Sequence, residues 1–167
     1  MPNWCSGNIR LRGTGAAIRD FLKNELIAVG YEKCLSGKVS EQHLDIRDDG
    51  YLFILSLPEN VQKWTFPSFY IKGTHRNFID GKTIEIYLDK DENTTVCIDD
   101  IKAAWGFAPG PYIEKARKYG IDIKIVGFEM GMQVKQIIEI VGGTLTNFQE
   151  IEFEDWYWEC EMPNMGG

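Results

Sequence analysis

The sequence predicts an α+β fold of the ferredoxin-like, split βαβ type, with a mostly antiparallel sheet and two main helices on one face. Three observations lead to this class. Residues 4–29 read as a strand followed by a helix, and residues 94–128 read as strand, helix and strand. Between these units, residues 31–93 hold short apolar runs, which predict a β-rich insertion. The whole chain, residues 1–167, is expected to form a single domain.

Composition and charge restrict the class of protein. The chain has 167 residues, of which 44% are apolar, so it can bury a core without disulfides. Its formal net charge of -7 disfavours non-specific electrostatic binding to nucleic acid or an anionic membrane, although it is compatible with a local basic patch. No run approaches the ~20 apolar residues of a membrane span, and no signal peptide is visible. We therefore expect a soluble, cytoplasmic protein without membrane contact.

The cysteines and histidines are too scattered to predict a metal site. Their spacing contains none of the short pairs that zinc ligands usually show. These residues are Cys5, Cys34, Cys97, Cys160, His43 and His75. We expect reduced thiols, no metal and no cofactor. No Ser–His–Asp or Cys–His set is evident, so the chain is not predicted to be an enzyme.

The first strand and helix can be placed from their ends. Alternation of apolar and charged side chains in residues 4–12 predicts a strand, which would take Trp4 out of a frayed terminus and bury it. Thr14 can cap the following helix, and Gly30 is a natural stop. The apolar face of that helix would comprise Ile18, Phe21, Leu22, Leu26 and Val29. Residues 13–18 (GTGAAI) resemble a dinucleotide loop, but Ile18 stands in place of the third glycine, so we interpret them as an ordinary strand–helix turn.

The middle of the chain predicts short strands with weakly patterned connections. Residues 31–50 are polar and predict a loop with at most one short strand. The run 51–57 (YLFILSL) predicts a strand buried on both faces, which Pro58 ends. Further strands are expected at 69–71 and 83–88.

The second half predicts a strand–helix–strand crossover followed by two more strands. Residues 94–105 read as a long strand with a bulge at residues 99–100. Pro109 opens the next helix and Gly120 ends it. The strands on either side of this helix should be parallel, because the helix crosses over between them. Alternating strands follow at 121–125, 132–141 and 144–154.

Three short motifs suggest a family. They are an N-terminal MPNWC with a later asparagine, a tryptophan before a proline-opened helix, and an aromatic–Glu–x–Gly segment. The residues that carry them are Met1, Pro2, Asn3, Trp4, Cys5, Asn8, Trp105, Pro109, Pro111, Phe128, Glu129 and Gly131. In these motifs the chain resembles an uncharacterised family of bacterial, phage and plasmid proteins with a YubB-type ferredoxin-like domain. The match covers residues 1–13 and 100–143, and Gly7 stands where an asparagine is usual.

The resemblance implies a ferredoxin-like fold, a cytoplasmic setting and an origin in a mobile genetic element, and it implies no activity. The motif residues Asn3, Trp4, Asn8, Trp105, Glu129 and Gly131 are expected to be structural. An inward-pointing Asn8 would need hydrogen-bond partners, which a tie between the first strand and the 128–131 turn would supply.

Residues 72–77 (KGTHRN) are the most basic surface-like stretch. Lys72, His75 and Arg76, beside Gly73, are candidates to hold a phosphate or a single-stranded nucleic acid. The alternative interpretation is a solvated hairpin loop whose charges serve solubility.

The C-terminal segment 150–161 (EIEFEDWYWECE) combines six acidic residues with four aromatic ones. One interpretation is an acidic edge strand that blocks unwanted strand pairing. The other is a docking surface for a basic protein partner or a second copy of the chain, with Trp156, Tyr157 and Trp158 as anchors.

Two functions follow from these observations. The first is a non-enzymatic accessory or interaction protein of a prophage or plasmid. The alternative is a single-stranded nucleic-acid-binding module that uses the sheet and the Lys72–Arg76 loop, which the net charge disfavours.

Overall fold

The computed structural model describes residues 3–30, 43–63 and 65–167. Strand accounts for 49% and helix for 20% of the structure, so the predicted ferredoxin-like α+β class is wrong and the fold is mostly β. The described strands are β1 Trp4–Thr14, β2 Leu26–Val29, β3 Asp45–Asp48, β4 Leu52–Ser56, β5 Ser68–Ile71, β6 Asn77–Asp80, β7 Thr83–Tyr87, β8 Asn93–Ala104, β9 Asp122–Glu129, β10 Val134–Val141 and β11 Thr144–Glu152. The described helices are α1 Gly15–Glu25, α2 Glu59–Gln62, α3 Pro109–Tyr119 and α4 Trp156–Glu159.

The strands form two antiparallel sheets. The larger sheet has eight strands in the order β11-β10-β9-β1-β8-β6-β5-β2, and the smaller one has the order β3-β4-β7. The sequence predicts a β-rich insertion over residues 31–93, of which residues 31–42 and 64 lie outside the described residues. The strands β5 and β6 of this segment enter the large sheet between β8 and β2, which makes the sheet too wide for a split βαβ domain. The predicted crossover is confirmed, since β8 and β9 both run antiparallel to β1 and are therefore parallel to each other.

Strand β1 lies in the interior of the large sheet, between β8 and β9. Its pairing with β8 shifts register at the predicted bulge, where Gly7 pairs with Ile101 but Ile9 pairs with Ile98. Asp100 lies in the bulge with a φ of +59°. The one extra residue of β8 keeps the apolar side chains of both strands on the same face despite the shift.

Helix α1 is shorter than its apolar pattern predicts. It begins with the expected cap, in which the Thr14 hydroxyl accepts from the Ala17 N–H at 3.2 Å. It ends at Glu25, and residues 26–29 form the edge strand β2 instead of a last helical turn. The pairing of these apolar residues with β5 outweighs their helical spacing.

The amide groups at the start of α1 are occupied by the chain itself. The N–H of Gly15 donates to the Glu92 carbonyl at 3.1 Å, and that of Ala16 donates to the Lys90 carbonyl at 3.0 Å. A Cβ at Gly15 would lie 1.9 Å from the Asp89 carbonyl oxygen. The turn therefore leaves no room for a dinucleotide phosphate, as expected for an ordinary turn.

One face of the large sheet carries the main core. Side chains from α1, α3 and the small sheet pack there against β1, β8, β9 and β10. Strand β4 buries only alternate residues, so the predicted burial on both faces is wrong. The buried Arg19 ties α1 to the small sheet, because its Nη2 donates to the carbonyls of Gly50 and Leu88 at 2.9 and 2.7 Å.

The opposite face of the large sheet, called the outer face below, is only partly covered. The chain after β11 packs on it through Trp156 and Cys160, which contact Phe128 of β9. Among the described helices, none is long and apolar enough to cross a membrane.

Candidate binding surface

The basic loop 72–76 joins β5 to β6 and has a defined backbone. The Thr74 hydroxyl donates to the Ile71 carbonyl at 2.6 Å, and the Tyr70 hydroxyl donates to the Thr74 carbonyl at 2.5 Å. Arg76 has a φ of +55°, and its carbonyl accepts from the Ala104 N–H at 3.3 Å. This contact places Arg76 beside the last residue of β8.

Trp105 follows β8 directly and is held in an unusual conformation. Its φ is +62°, in the left-handed region that bulky side chains rarely adopt, and its N–H donates to the Asn3 carbonyl at 2.8 Å. The side chain is nevertheless 57% exposed. Strained backbone of this kind clusters at binding and catalytic sites, which makes Trp105 a candidate ligand contact.

These elements bring two tryptophans and three cationic or imidazole side chains together. The Arg76 Cζ lies 5.6 Å from the Trp4 ring centroid and 5.8 Å from that of Trp105. The His75 ring is stacked on Trp105, with centroids 6.3 Å apart and planes 16° from parallel. The Lys102 Nζ lies 5.2 Å from the Trp4 centroid. We call Trp4, His75, Arg76, Lys102 and Trp105 the Trp–Arg cluster.

The Trp–Arg cluster contains two of the three loop residues that the sequence predicts as a site. Lys72 lies at the other end of the loop, where its N–H donates to the Glu25 carbonyl at 2.9 Å. Sequence reasoning missed Lys102 of β8, which lies opposite Ser6 of β1 and forms an ion pair with Asp80 at 2.5 Å. The alternation of β8 could have indicated that Lys102 faces away from the core, but its proximity to Trp4 depends on strand pairing.

The remaining family-motif residues form a structural tie near Trp105. A Cβ at Gly131 would lie 2.5 Å from Asn3 Nδ2 and 2.9 Å from Glu129 Oε1, so a larger residue would displace these two side chains. The Glu129 carboxylate accepts from the N–H groups of Gly131 and Met132 at 2.8 and 2.7 Å. Asn8 does not take part: its Oδ1 is buried without a hydrogen-bond partner among the described residues, which differs from the expectation for an inward asparagine.

An acidic cavity of about 90 Å³ lies on the other side of Trp105. Cys5, Glu129 and Glu150 are among its lining residues. Burial, and then the charges of Glu129 and Glu150, raise the pKa of the Cys5 thiol to about 12. The thiol is therefore protonated at neutral pH and is a poor nucleophile. Trp105 thus separates a cationic side from an acidic side.

The acidic C-terminal segment divides into buried and exposed parts. Trp156 is 2% exposed and its indole N–H donates to the Pro163 carbonyl at 2.8 Å, so it cannot act as an accessible anchor. Tyr157 and Trp158 are 72% and 87% exposed. Strand β11 lies at the edge of the large sheet, where edge protection and partner docking are both compatible with its charges.

The comparisons with known proteins add no family to this description. No family model, no curated protein and no solved structure matched the chain. The resemblance to the phage and plasmid family therefore stays a prediction. Within the described ranges, no group of three or more His, Cys, Asp or Glu side chains is arranged to hold a metal ion.

Proposed function

We propose that this protein acts by binding, as an accessory or interaction protein, and that single-stranded nucleic acid is the ligand of the Trp–Arg cluster. The observation that carries the proposal is the position of the Arg76 guanidinium between two indoles, one of them strained and exposed. Exposed aromatic rings stack bases of any sequence, and a neighbouring arginine pairs with phosphate. The role in a mobile genetic element stays a prediction from the family resemblance.

The electrostatics indicate how such a ligand would lie. The acidic cavity beyond Trp105 repels phosphate, whereas Arg76 and Lys102 attract it. The chain would therefore run from Trp105 towards Trp4, with one base on the exposed indole. Because the net charge of the protein is -7, binding should be weak and local.

The test is fluorescence anisotropy with a labelled oligothymidylate of about 15 nucleotides, within the site sizes of single-strand binders. Stacking is worth about 1–3 kcal/mol per base, so Trp105→Ala should weaken binding by roughly 5- to 150-fold. Arg76→Ala should reduce the slope of log K against log salt by about 0.7, as expected for one lost phosphate contact. Arg47→Ala removes an exposed arginine of β3 and serves as the matched control.

The proposal is wrong if no salt-sensitive binding is found up to about 100 µM, the weak end of non-specific affinities. It is equally wrong if Trp105→Ala and Arg76→Ala bind as the wild-type protein does. Circular dichroism of each variant separates loss of binding from loss of fold.

A second candidate function rests on the exposed pair Tyr157 and Trp158. Aromatic side chains surrounded by carboxylates suit a basic protein partner, since exposed tryptophans often become interface hot spots. Titration with an oligo-arginine peptide should give an affinity that Trp158→Ala lowers by tenfold or more, about 1.4 kcal/mol. Trp105→Ala should leave the affinity for the oligo-arginine peptide unchanged. Equal affinities for wild type and Trp158→Ala would exclude this surface.

A further inference from the structure

A groove of about 420 Å³ opens on the outer face near the end of β1 that leads into α1. Its lining includes Arg10, Arg12, Thr95, Asp122, Lys124 and Glu139. Every second residue of β1, from Trp4 to Arg12, has its side chain on this face. Arg10 therefore lies six residues, or about 20 Å, from Trp4 along the strand. The groove is separate from the Trp–Arg cluster.

Two of the three cations in the groove are paired with a carboxylate. Arg12 donates through Nε and Nη2 to Asp122 Oδ2 at 2.9 and 2.7 Å, and Lys124 forms an ion pair with Glu139. Burial opposes ionisation of Asp122, but the Gly142 N–H and Arg12 outweigh it and lower the pKa of this carboxyl. Both carboxylates are thus already engaged with their own cations.

Arg10 is the exception. It has no ion pair or hydrogen bond from its side chain anywhere in the described part of the chain, and it is exposed. It lies directly opposite Lys124 of β9 in the pairing of the two strands. Like charges directly opposite each other destabilise a sheet. In a protein of net charge -7, three cations against two anions leave this groove with a positive excess of one.

We propose that the groove is a binding site for a phosphate-class oxyanion, held by the Arg10 guanidinium with Lys124 and the Thr95 hydroxyl as neighbouring donors. The guanidinium has a planar fork of donors that matches phosphate oxygens, and a bound anion would remove the repulsion between Arg10 and Lys124. The volume of the groove is in the range of small-molecule sites. The phosphate comes either from a free phosphorylated compound or from a nucleic-acid backbone.

The experiment is calorimetric titration of the full chain with inorganic pyrophosphate at low salt. We expect binding that Arg10→Ala weakens at least tenfold, that Arg10→Lys restores in part, and that Arg47→Ala leaves unchanged. Without ligand, Arg10→Ala should melt no lower than wild type, because the substitution relieves the repulsion. Absence of pyrophosphate binding, or equal affinity in Arg10→Ala, overturns the proposal.

The thiol of Cys97 on β8 reports on the position of the anion, because it is exposed and lies directly opposite Arg10 of β1. In a Cys34→Ser background, saturating pyrophosphate should slow alkylation of Cys97 by N-ethylmaleimide several-fold. Binding without protection would place the anion elsewhere and overturn the assignment.

Two further arms identify the source of the phosphate. Competition between the oligothymidylate and pyrophosphate for the wild-type protein supports the groove and assigns its phosphate to nucleic acid. Pyrophosphate binding without competition supports the groove with a free phosphorylated compound as its ligand. The groove does not depend on the Trp–Arg cluster, since Trp105→Ala should leave pyrophosphate binding unchanged. Loss of pyrophosphate binding in Trp105→Ala would contradict two separate sites.

Discussion

The carboxylate of Glu25 is the best place to test the energetics of this fold. It ends α1, its side chain is 7% exposed, and it lies against α3. It pairs with Lys115 at 3.0 Å and Lys118 at 2.8 Å, and it accepts from the Tyr119 hydroxyl at 2.6 Å. Burial by itself raises its pKa, but the hydrogen bonds from Lys118, Tyr119 and Lys115 outweigh burial and lower the pKa from 4.5 to about 2.

This shift converts into a stability that depends on pH. Because the pKa of the folded state lies below that of the unfolded state, the contribution is present above pH 4.5 and is lost as the pH falls towards 2. At 1.36 kcal/mol per unit, the interaction is worth about 3 kcal/mol at pH 7 and roughly 1 kcal/mol at pH 3. Glu25→Gln should therefore lower the free energy of unfolding by about 3 kcal/mol at pH 7. It also leaves the buried Lys115 without its carboxylate, which adds to the loss.

The assay is urea unfolding followed by tryptophan fluorescence, at several values of pH from 7 to 3. Glu59→Gln is the matched control, because Glu59 forms an exposed ion pair with Lys63 that is worth only about 0.5 kcal/mol. A difference between wild type and Glu25→Gln below about 0.5 kcal/mol at pH 7 would refute the reasoning. So would a difference that stays constant between pH 7 and pH 3, since the charge would then not be its cause.

Three further predictions concern buried positions. Gly7→Ala should destabilise the protein by about 3 kcal/mol or more in urea unfolding, because its Cβ would lie 1.8 Å from the Val126 carbonyl oxygen. Gly110→Ala is the control: a Cβ there would meet open space, so it should change stability by no more than about 1 kcal/mol. Trp156→Ala should cost about 3–5 kcal/mol in the same assay and Trp158→Ala about 0.5 kcal/mol or less, and equal losses would contradict the burial of the first. The thiol of Cys5 should resist iodoacetamide at pH 8 until urea unfolds the chain, as mass spectrometry would show, and rapid modification of the native protein would contradict its raised pKa.

Several elements could be predicted because their signals are local. Alternation in the sequence predicted the bounds of β1, β8, β9 and β10 to within a few residues. Gly120 ends α3 as expected, with a φ of +64° in the left-handed region. The bulge at residues 99–100 also has a local origin, in two consecutive aspartates that interrupt an apolar pattern. Caps, stops and alternation depend on a few neighbouring residues, so they can be read without knowledge of the fold.

The fold class and both candidate sites depended on pairing between distant segments. Residues 26–29 have a helical apolar pattern but form an edge strand, because β5 offers them a partner. The insertion of β5 and β6 into the large sheet brings Arg76 to the end of β8, and only this places it between Trp4 and Trp105.

The same is true of Arg10, which meets Lys124 only through the register of β1 with β9. Periodicity indicates which face of a strand a side chain occupies, and it contains no information about the neighbouring strand. Local patterns therefore determined most of the strands and helices of this protein. The tertiary structure alone decided which cations and aromatic rings lie together, because sheet partners are chosen by contacts between residues far apart in the chain.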